Sequence, residues 1–249
     1  MKAALLGANG RLGRLVRAAW PDIRMFGRSA EPPDIDGFDV LIDMRGIVNG
    51  RGDVAGNTDI AQTALDLARK AHVGRVFLAS SAAVYETLTE ELHEDRAGPA
   101  SPYALAKHAM EQMAADHPQT ATCLRIGNVA GADAILGGWR AGFQLDQFAD
   151  GTTPVRSYIG PQTFGTALKL LATRPGLPKV LNFATPGAIE MGALLNAAGL
   201  EWTPRPAPDS AIKTVALDMR RLQSFVSFSP EACSAAGIAK EWRMMMKGQ

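Results

Sequence analysis

The first thirteen residues constrain the fold more than any other stretch. Lys2-Ala3-Ala4-Leu5-Leu6 reads as a short buried strand that runs directly into Gly7-Ala8-Asn9-Gly10-Arg11-Leu12-Gly13 and then into a helix through Trp20. Strand, glycine turn and helix in that order open a βαβ unit of the kind that binds dinucleotides. Glycine permits a tight turn and close approach of the backbone to a pyrophosphate, while the N–H groups and positive dipole end of the next helix attract its charge. The spacing is G-x-x-G-x-x-G rather than the commoner G-x-G-x-x-G, and a purely structural turn is the competing explanation. Gly7, Asn9, Gly10, Arg11, Leu12 and Gly13 are therefore the candidate cofactor cradle.

Beyond the turn, apolar runs at 23–27, Val40–Asp43, 75–79 and Ala121–Ile126 alternate with helical stretches near 54–72 and Pro102–Asp116. Strands separated by helices predict an α/β chain with a parallel sheet covered on both faces. The stretch 27–38 is too short for a crossover helix, so this connection is expected to pass in a loop or a single turn. After Gly131 the regularity fades, and helices are expected near 134–149, 165–173 and 189–198 in a smaller substrate-covering lobe. One domain over 1–249 follows, with about 1–131 as dinucleotide-binding core and about 132–249 mainly as lobe.

The second chemical signal is Ser101-Pro102-Tyr103-Ala104-Leu105-Ala106-Lys107. Ser101 is a good N-cap, Pro102 suits the first helical position, and Tyr103 and Lys107 then share one helix face. A phenol is a poor base at neutral pH, but a neighbouring ammonium favours the phenolate, which predicts a group able to exchange a proton with a substrate hydroxyl or carbonyl. Upstream, Ser80-Ser81 ends the 75–79 run. Small hydroxylated residues also end strands merely to satisfy backbone groups.

Together these residues resemble the extended short-chain dehydrogenase/reductases, in the NAD(P)-dependent epimerase/dehydratase branch. The blocks that carry the resemblance are Gly7 to Gly13, Phe77-Leu78-Ala79-Ser80-Ser81-Ala82-Ala83-Val84-Tyr85, the Ser-Pro-Tyr-x-x-x-Lys helix, Leu124-Arg125-Ile126-Gly127-Asn128-Val129-Ala130-Gly131 and Val155-Arg156-Ser157-Tyr158-Ile159. The resemblance implies a Rossmann-like doubly wound parallel sheet with a small C-terminal lobe. It also implies Tyr103 as acid/base, Lys107 as the group that lowers its pKa and holds the nicotinamide ribose, and Ser81, with Ser80 assisting, as the hydroxyl that orients the substrate oxygen. Asn128 and Arg156 match residues that meet a nucleoside diphosphate in sugar-nucleotide epimerases. Ser157 replaces the family's aspartate there, a second aspartate is missing from Gly160-Pro161-Gln162-Thr163, and the lobe is short, which leaves the nucleotide-sugar assignment open.

Dehydratases of the family carry an Asp-Glu pair where this chain has Ala82 and Ala83, and methyl groups move no protons. Hydride transfer at a hydroxyl or keto carbon remains, as an epimerase or a net reductase, with a sugar nucleotide as first expectation. The alternatives are reduction of a small non-nucleotide carbonyl compound and a non-catalytic NADP(H)-sensing protein. No carboxylate ends the second strand, whereas Arg28 follows it and Arg11 lies in the turn, so NADP(H) is expected over NAD(H).

A net charge of +1 gives no reason to expect nucleic acid or an anionic membrane, and no apolar run is long enough to span a bilayer. Cys123 and Cys233 are read as reduced cysteines of a cytoplasmic protein, and the four histidines have no metal-ligand spacing. The expected partners are a small-molecule substrate and, from the resemblance, a second copy of the chain in a homodimer, with no metal.

Overall fold

All four residues of the first strand, β1 (Ala3–Leu6), are buried, Ala3 and Leu5 in one core cluster and Ala4 and Leu6 in another. That is the two-residue repeat of a strand between two helical layers, and it accounts for the unbroken apolar run. The structure is a computed structural model that describes residues 1–27, 33–48, 52–90 and 92–247. The chain continues through α1 (Arg11–Ala19), β2 (Arg24–Phe26), β3 (Val40–Asp43), α2 (Asn57–Lys70), β4 (Arg75–Ser81), α3 (Pro102–Asp116) and β5 (Ala121–Ile126). Short strands β6 (Asn128–Val129), β7 (Gln144–Gln147), β8 (Val155–Arg156) and β9 (Tyr158–Ile159) lead to α4 (Pro161–Ala172) and β10 (Val180–Phe183). Then come β11 (Ile189–Glu190), α5 (Met191–Ala198), β12 (Thr203–Pro206), β13 (Thr214–Val215), α6 (Arg220–Gln223) and α7 (Ala235–Lys247).

Six parallel strands lie in the order β10-β5-β4-β3-β1-β2, a Rossmann-like doubly wound sheet. On one face, Leu15, Val16 and Trp20 meet Phe164, Leu168 and Leu171 of α4. A Cβ at Gly165 would lie 2.3 Å from the Ala19 Cβ, so glycine there sets how closely α4 approaches α1. On the other face, Ala61, Ala64, Leu65 and Ala68 of α2 join Met110 and Ala114 of α3 over Leu41, Val76 and Leu78. Strand order reverses beside β1, and such sheets bind ligands at the carboxyl ends of the strands around that point.

As the sequence predicts, no helix fills 33–39. Ile35, 1% exposed, plugs the α2/α3 side in place of a crossover helix, and Phe38 meets Phe26 edge-on with ring centroids 6.2 Å apart.

The helix expected near 134–149 is absent. The Asp133 carboxylate accepts the N–H groups of Gly131, Leu136 and Gly137 and winds this segment into turns, after which β7 pairs in parallel with β12. A carboxylate that satisfies nearby N–H groups competes with helix, and Gly137, Gly138 and Gly142 remove what propensity remained. The other two helices form, with α4 starting at Pro161, a residue suited to a first helical position. Both α4 and β10 come after residue 131 yet belong to the sheet layers, β10 extending the β5 edge. A third cluster, including Ile135, Leu136, Leu145, Tyr158, Leu194, Leu195 and Ile238, forms the core of the C-terminal lobe.

Candidate active site

Gly7 adopts φ +78°, and a Cβ there would meet the Arg45 backbone nitrogen at 2.9 Å. Its carbonyl accepts the Gly10 N–H at 2.9 Å, and a Cβ at Gly13 would fall 2.2 Å from the same oxygen. No side chain caps α1, so its first N–H groups remain available beside a cleft of about 450 Å³ bordered by Gly10, Arg11 and Leu12. A backbone cradle without Cβ atoms, at an uncapped helix start, fits the pyrophosphate of a dinucleotide.

The same cleft is bordered by Ser81, Tyr103 and Lys107. Ser81 ends β4, and its Oγ accepts the Ala83 N–H at 3.2 Å, opening a 3₁₀ turn over Ala82–Tyr85. Ser101 Oγ accepts the Ala104 N–H at 3.2 Å and Pro102 takes the first position of α3, the N-terminus that the sequence predicts. Tyr103 and Lys107 thus face β4 one turn apart, the Lys107 Nζ 6.0 Å from the Tyr103 ring centroid and donating to the Ala79 carbonyl at 2.7 Å.

Electrostatics at the pair differ in one respect from the sequence expectation. Burial pushes the Tyr103 phenol above its ordinary pKa and the hydrogen bond with Ser81 pulls it back in part, so desolvation outweighs the pull toward phenolate. Burial also brings the Lys107 ammonium, 3% exposed, down to about 8, opposed first by the Asp43 charge.

Ser80 borders the cleft, but its hydroxyl donates to Glu111 Oε1 at 2.5 Å. Glu111 also holds Arg125 through both carboxylate oxygens, at 3.0 Å from Nε and 2.7 Å from Nη2. Arg125 Nη1 donates to the Tyr85 hydroxyl at 2.8 Å, which donates to Asn182 Oδ1 at 2.9 Å. Burial pushes the Tyr85 phenol up to about 12. The hydroxyl of Ser80 therefore belongs to a buried polar chain, and only that of Ser81 is brought to Tyr103. Sequence reasoning missed Glu111, although its place four residues after Lys107 on the same helix face was a usable signal.

A second cleft of about 260 Å³ adjoins Ser81, walled by Ala82, Ala83, Leu88, Ile126 and Leu217. Asn128 borders both clefts, and Arg156 borders this one. The Arg156 guanidinium donates to the carbonyls of Val155, Lys213 and Ile212 at 2.8, 3.1 and 2.8 Å, and among the described residues no carboxylate pairs with it. Arg11 is exposed at the first cleft, and Arg28 lies outside the described residues. Arg45, also missed in the sequence, borders that cleft with Nε and Nη2 on Asp43 at 2.9 and 2.8 Å. Among the described residues no group of three or more His, Cys, Asp or Glu is arranged to hold a metal, and no helix is long and apolar enough to cross a membrane.

The model of the NAD dependent epimerase/dehydratase family matches residues 46–138, the stretch that holds Ser81, Tyr103, Lys107 and Asn128. None of the curated proteins compared with the chain matches it. Among solved structures, an NAD dependent NDP-hexosamine 5,6-dehydratase involved in tunicamycin biosynthesis aligns with a TM-score of 0.77 at 17% identity, over 100% of this chain and 98% of that one. A UDP-galactose 4-epimerase aligns at 0.73 and 20% identity, over 100% and 99%. A UDP-glucose-4-epimerase from Stenotrophomonas maltophila, with bound NAD and formylated UDP-arabinopyranose, aligns at 0.77 and 15% identity, over 100% of both chains. At these identities the likeness to solved structures is one of fold. In sequence over residues 46–138, what this chain resembles is the NAD dependent epimerase/dehydratase family.

Proposed function

We propose that the protein is an NAD(P)-dependent enzyme that transfers hydride at a hydroxyl or keto carbon, as an epimerase or a net reductase. The observation that carries this reading is the meeting of Ser81, Tyr103 and Lys107 on a cleft that the glycine turn also borders through Gly10, Arg11 and Leu12. When bound, the nicotinamide cofactor would supply or accept the hydride. Gly7, Gly10, Leu12 and Gly13 would hold its pyrophosphate through backbone groups, with Asn9 and Arg11 beside them, and Lys107 its nicotinamide ribose.

In this mechanism Ser81 hydrogen-bonds the reacting oxygen, and Tyr103 gives or takes that oxygen's proton. A phenol whose pKa burial has raised is protonated at neutral pH and so is ready to donate, the direction that a carbonyl reduction requires. Lys107 stabilises the phenolate left behind. Ala82 and Ala83 offer no proton acceptor beside Ser81, which speaks against water elimination.

For the substrate, a nucleoside-diphosphate sugar is the first reading. It rests on the likeness in fold to enzymes described as acting on UDP-sugars, and on Arg156, a half-buried cation without a carboxylate partner, whose planar fork suits a diphosphate. A small non-nucleotide carbonyl compound is favoured instead by the 260 Å³ cleft, below the usual range for drug-sized ligands, and by the three carbonyls that already engage Arg156. For the cofactor, the reading remains NADP(H), because β2 ends at Phe26 and is followed by Gly27 and Arg28 rather than a carboxylate, while Arg11 stands exposed on the first cleft.

Tyr103→Phe is expected to lose 99% or more of turnover, about a hundredfold or greater, while binding cofactor with nearly unchanged affinity. Steady-state rates beside a fluorescence titration with NADPH measure both, and near-normal turnover would reject the assignment. NADPH should bind more tightly than NADH in the same titration, and equal or tighter NADH binding would overturn the preference. A rise in Tm with UDP would support the nucleotide-sugar reading, and no rise at millimolar UDP would favour the small carbonyl compound.

The role given to Lys107 costs stability in the cofactor-free protein. A fall from 10.5 to about 8 corresponds to about 3 kcal/mol below pH 8, where the unfolded and folded chains both hold the proton but the folded one holds it at a penalty. Between pH 8 and 10.5 the unfolded chain binds more protons, so stability rises with pH across that window. Lys107→Met should therefore raise stability at pH 7 by about 1–3 kcal/mol, less whatever the lost Ala79 hydrogen bond contributed, and the advantage should shrink above pH 8. Denaturant melts of the two proteins at pH 7 and pH 9.5 check this, and a variant less stable than the parent at pH 7 would contradict it.

A further inference from the structure

Among the described residues that border the cleft beside Ser81, Glu86 is the one carboxylate. It follows directly on the 3₁₀ turn Ala82–Tyr85 that Ser81 opens. Its Oε2 accepts the N–H groups of Ser101 at 2.6 Å and Ala100 at 3.2 Å, and its Oε1 accepts the Ser101 hydroxyl at 2.7 Å. Ser101 Oγ in turn caps α3, and Tyr103 is the second residue of that helix.

These bonds close a ring. Covalently, Ser81 leads through one tight turn to Glu86, and through hydrogen bonds Glu86 leads to the cap of α3 and so to Tyr103. Two backbone bonds brace the same segments, Gly98 N–H to Val84 O at 2.8 Å and Thr87 N–H to Gly98 O at 2.9 Å. Glu86 is the side chain in this set that reaches the cap itself.

A proton-transfer role is the rival assignment, since Glu86 stands near the place where Ala82 and Ala83 lack a carboxylate. Its surroundings argue against it. Three donors hold the carboxyl below its ordinary pKa although burial opposes them, and an anion so stabilised is a weak base. The negative charge also lies at the N-terminus of α3, where the helix dipole favours it.

We propose that Glu86 is a positioning residue, which ties the Ser81 turn to the cap of α3 and so keeps the Ser81 hydroxyl within hydrogen-bonding reach of the Tyr103 phenol. The proposal rests on the acid/base role given to Tyr103 for its meaning, but its geometry is testable without turnover. With tyrosine labelled at ¹³Cζ, Tyr103 is assigned by comparison with Tyr103→Phe, and its titration is followed by NMR. In Glu86→Ala the Ser81 bond loosens, and Tyr103 should titrate about half a pH unit to one unit higher, the size of one modest hydrogen bond, with Tyr85 and Tyr158 unchanged.

Glu86→Gln, which keeps an acceptor for the Ser101 N–H and a polar partner for its hydroxyl, should restore the parental titration. Ser101→Ala, which removes the hydroxyl arm and the Oγ cap with it but leaves both N–H arms on Glu86, should move Tyr103 upward by a smaller step and provides the readout if Glu86→Ala does not fold. An unmoved Tyr103 titration in these variants would overturn the proposal, as would loss of turnover in Glu86→Gln with the titration intact, which would mark Glu86 as a proton carrier. Failure of the wider reading looks different: Tyr103→Phe would then turn over normally whatever Glu86 does to the titration.

Discussion

The constraint on which the rest of this site depends is the burial of an ammonium. Lys107 is 3% exposed, and an unpaired charge at such depth is costly enough that proteins normally discharge it or surround it with acceptors. Here the acceptor is the Ala79 carbonyl, two residues before the end of β4, and the opposing charge that acts most strongly on the ammonium is Asp43 at the end of β3. Both lie where parallel strands end, so the sheet supplies the environment and α3 supplies the cation. A glycine at 46 completes the fit, since a Cβ there would stand 3.1 Å from the Lys107 Nζ.

A second buried charge lies behind the first. Glu111 and Arg125 are 1% and 3% exposed and neutralise one another through a bidentate pair, with Ser80, Tyr85 and the carbonyl of Arg96 satisfying further positions. Replacing such a pair by apolar groups of equal volume is often neutral or better for stability, so its geometry is more informative than its energy. It joins α3 to β4 and β5 beside Ser81 and Lys107 and reaches Asn182 in β10, whose side chain amide holds the carbonyls of Leu92 and Asp218. The floor of the site is thereby tied through the edge strand β10 to the segments at Leu92 and Asp218.

How much of this was legible in the sequence follows from the range of each interaction. The glycine turn, the Ser101 cap and the Tyr103/Lys107 spacing are local, written within seven residues, and the fold places them as the sequence predicts. Apolar runs at 40–43, 75–79 and 121–126 marked strands for the same reason, and they form as β3, β4 (Arg75–Ser81) and β5. What the sequence hid is non-local. Glu86 and Ser101 are 15 residues apart, Ser80 and Glu111 are 31 apart, and nothing in either segment alone reveals its partner. Segment 134–149 was misread because a single carboxylate, Asp133, gathers three N–H groups that a helix would otherwise use.

Arg156 shows how these scales meet at the second cleft. Its guanidinium has no carboxylate partner among the described residues, and three backbone carbonyls from Val155, Ile212 and Lys213 take up the burden instead. Carbonyl dipoles can hold a half-buried guanidinium but do not cancel its charge, and burial accordingly lowers its pKa. A cation kept in this state favours any anionic group that enters the adjoining cleft, because the newcomer gains a charge-assisted bond while the guanidinium gives up only neutral acceptors. The same exchange would loosen the 212–213 segment from Arg156, because that segment is held to the guanidinium only through the carbonyls of Ile212 and Lys213.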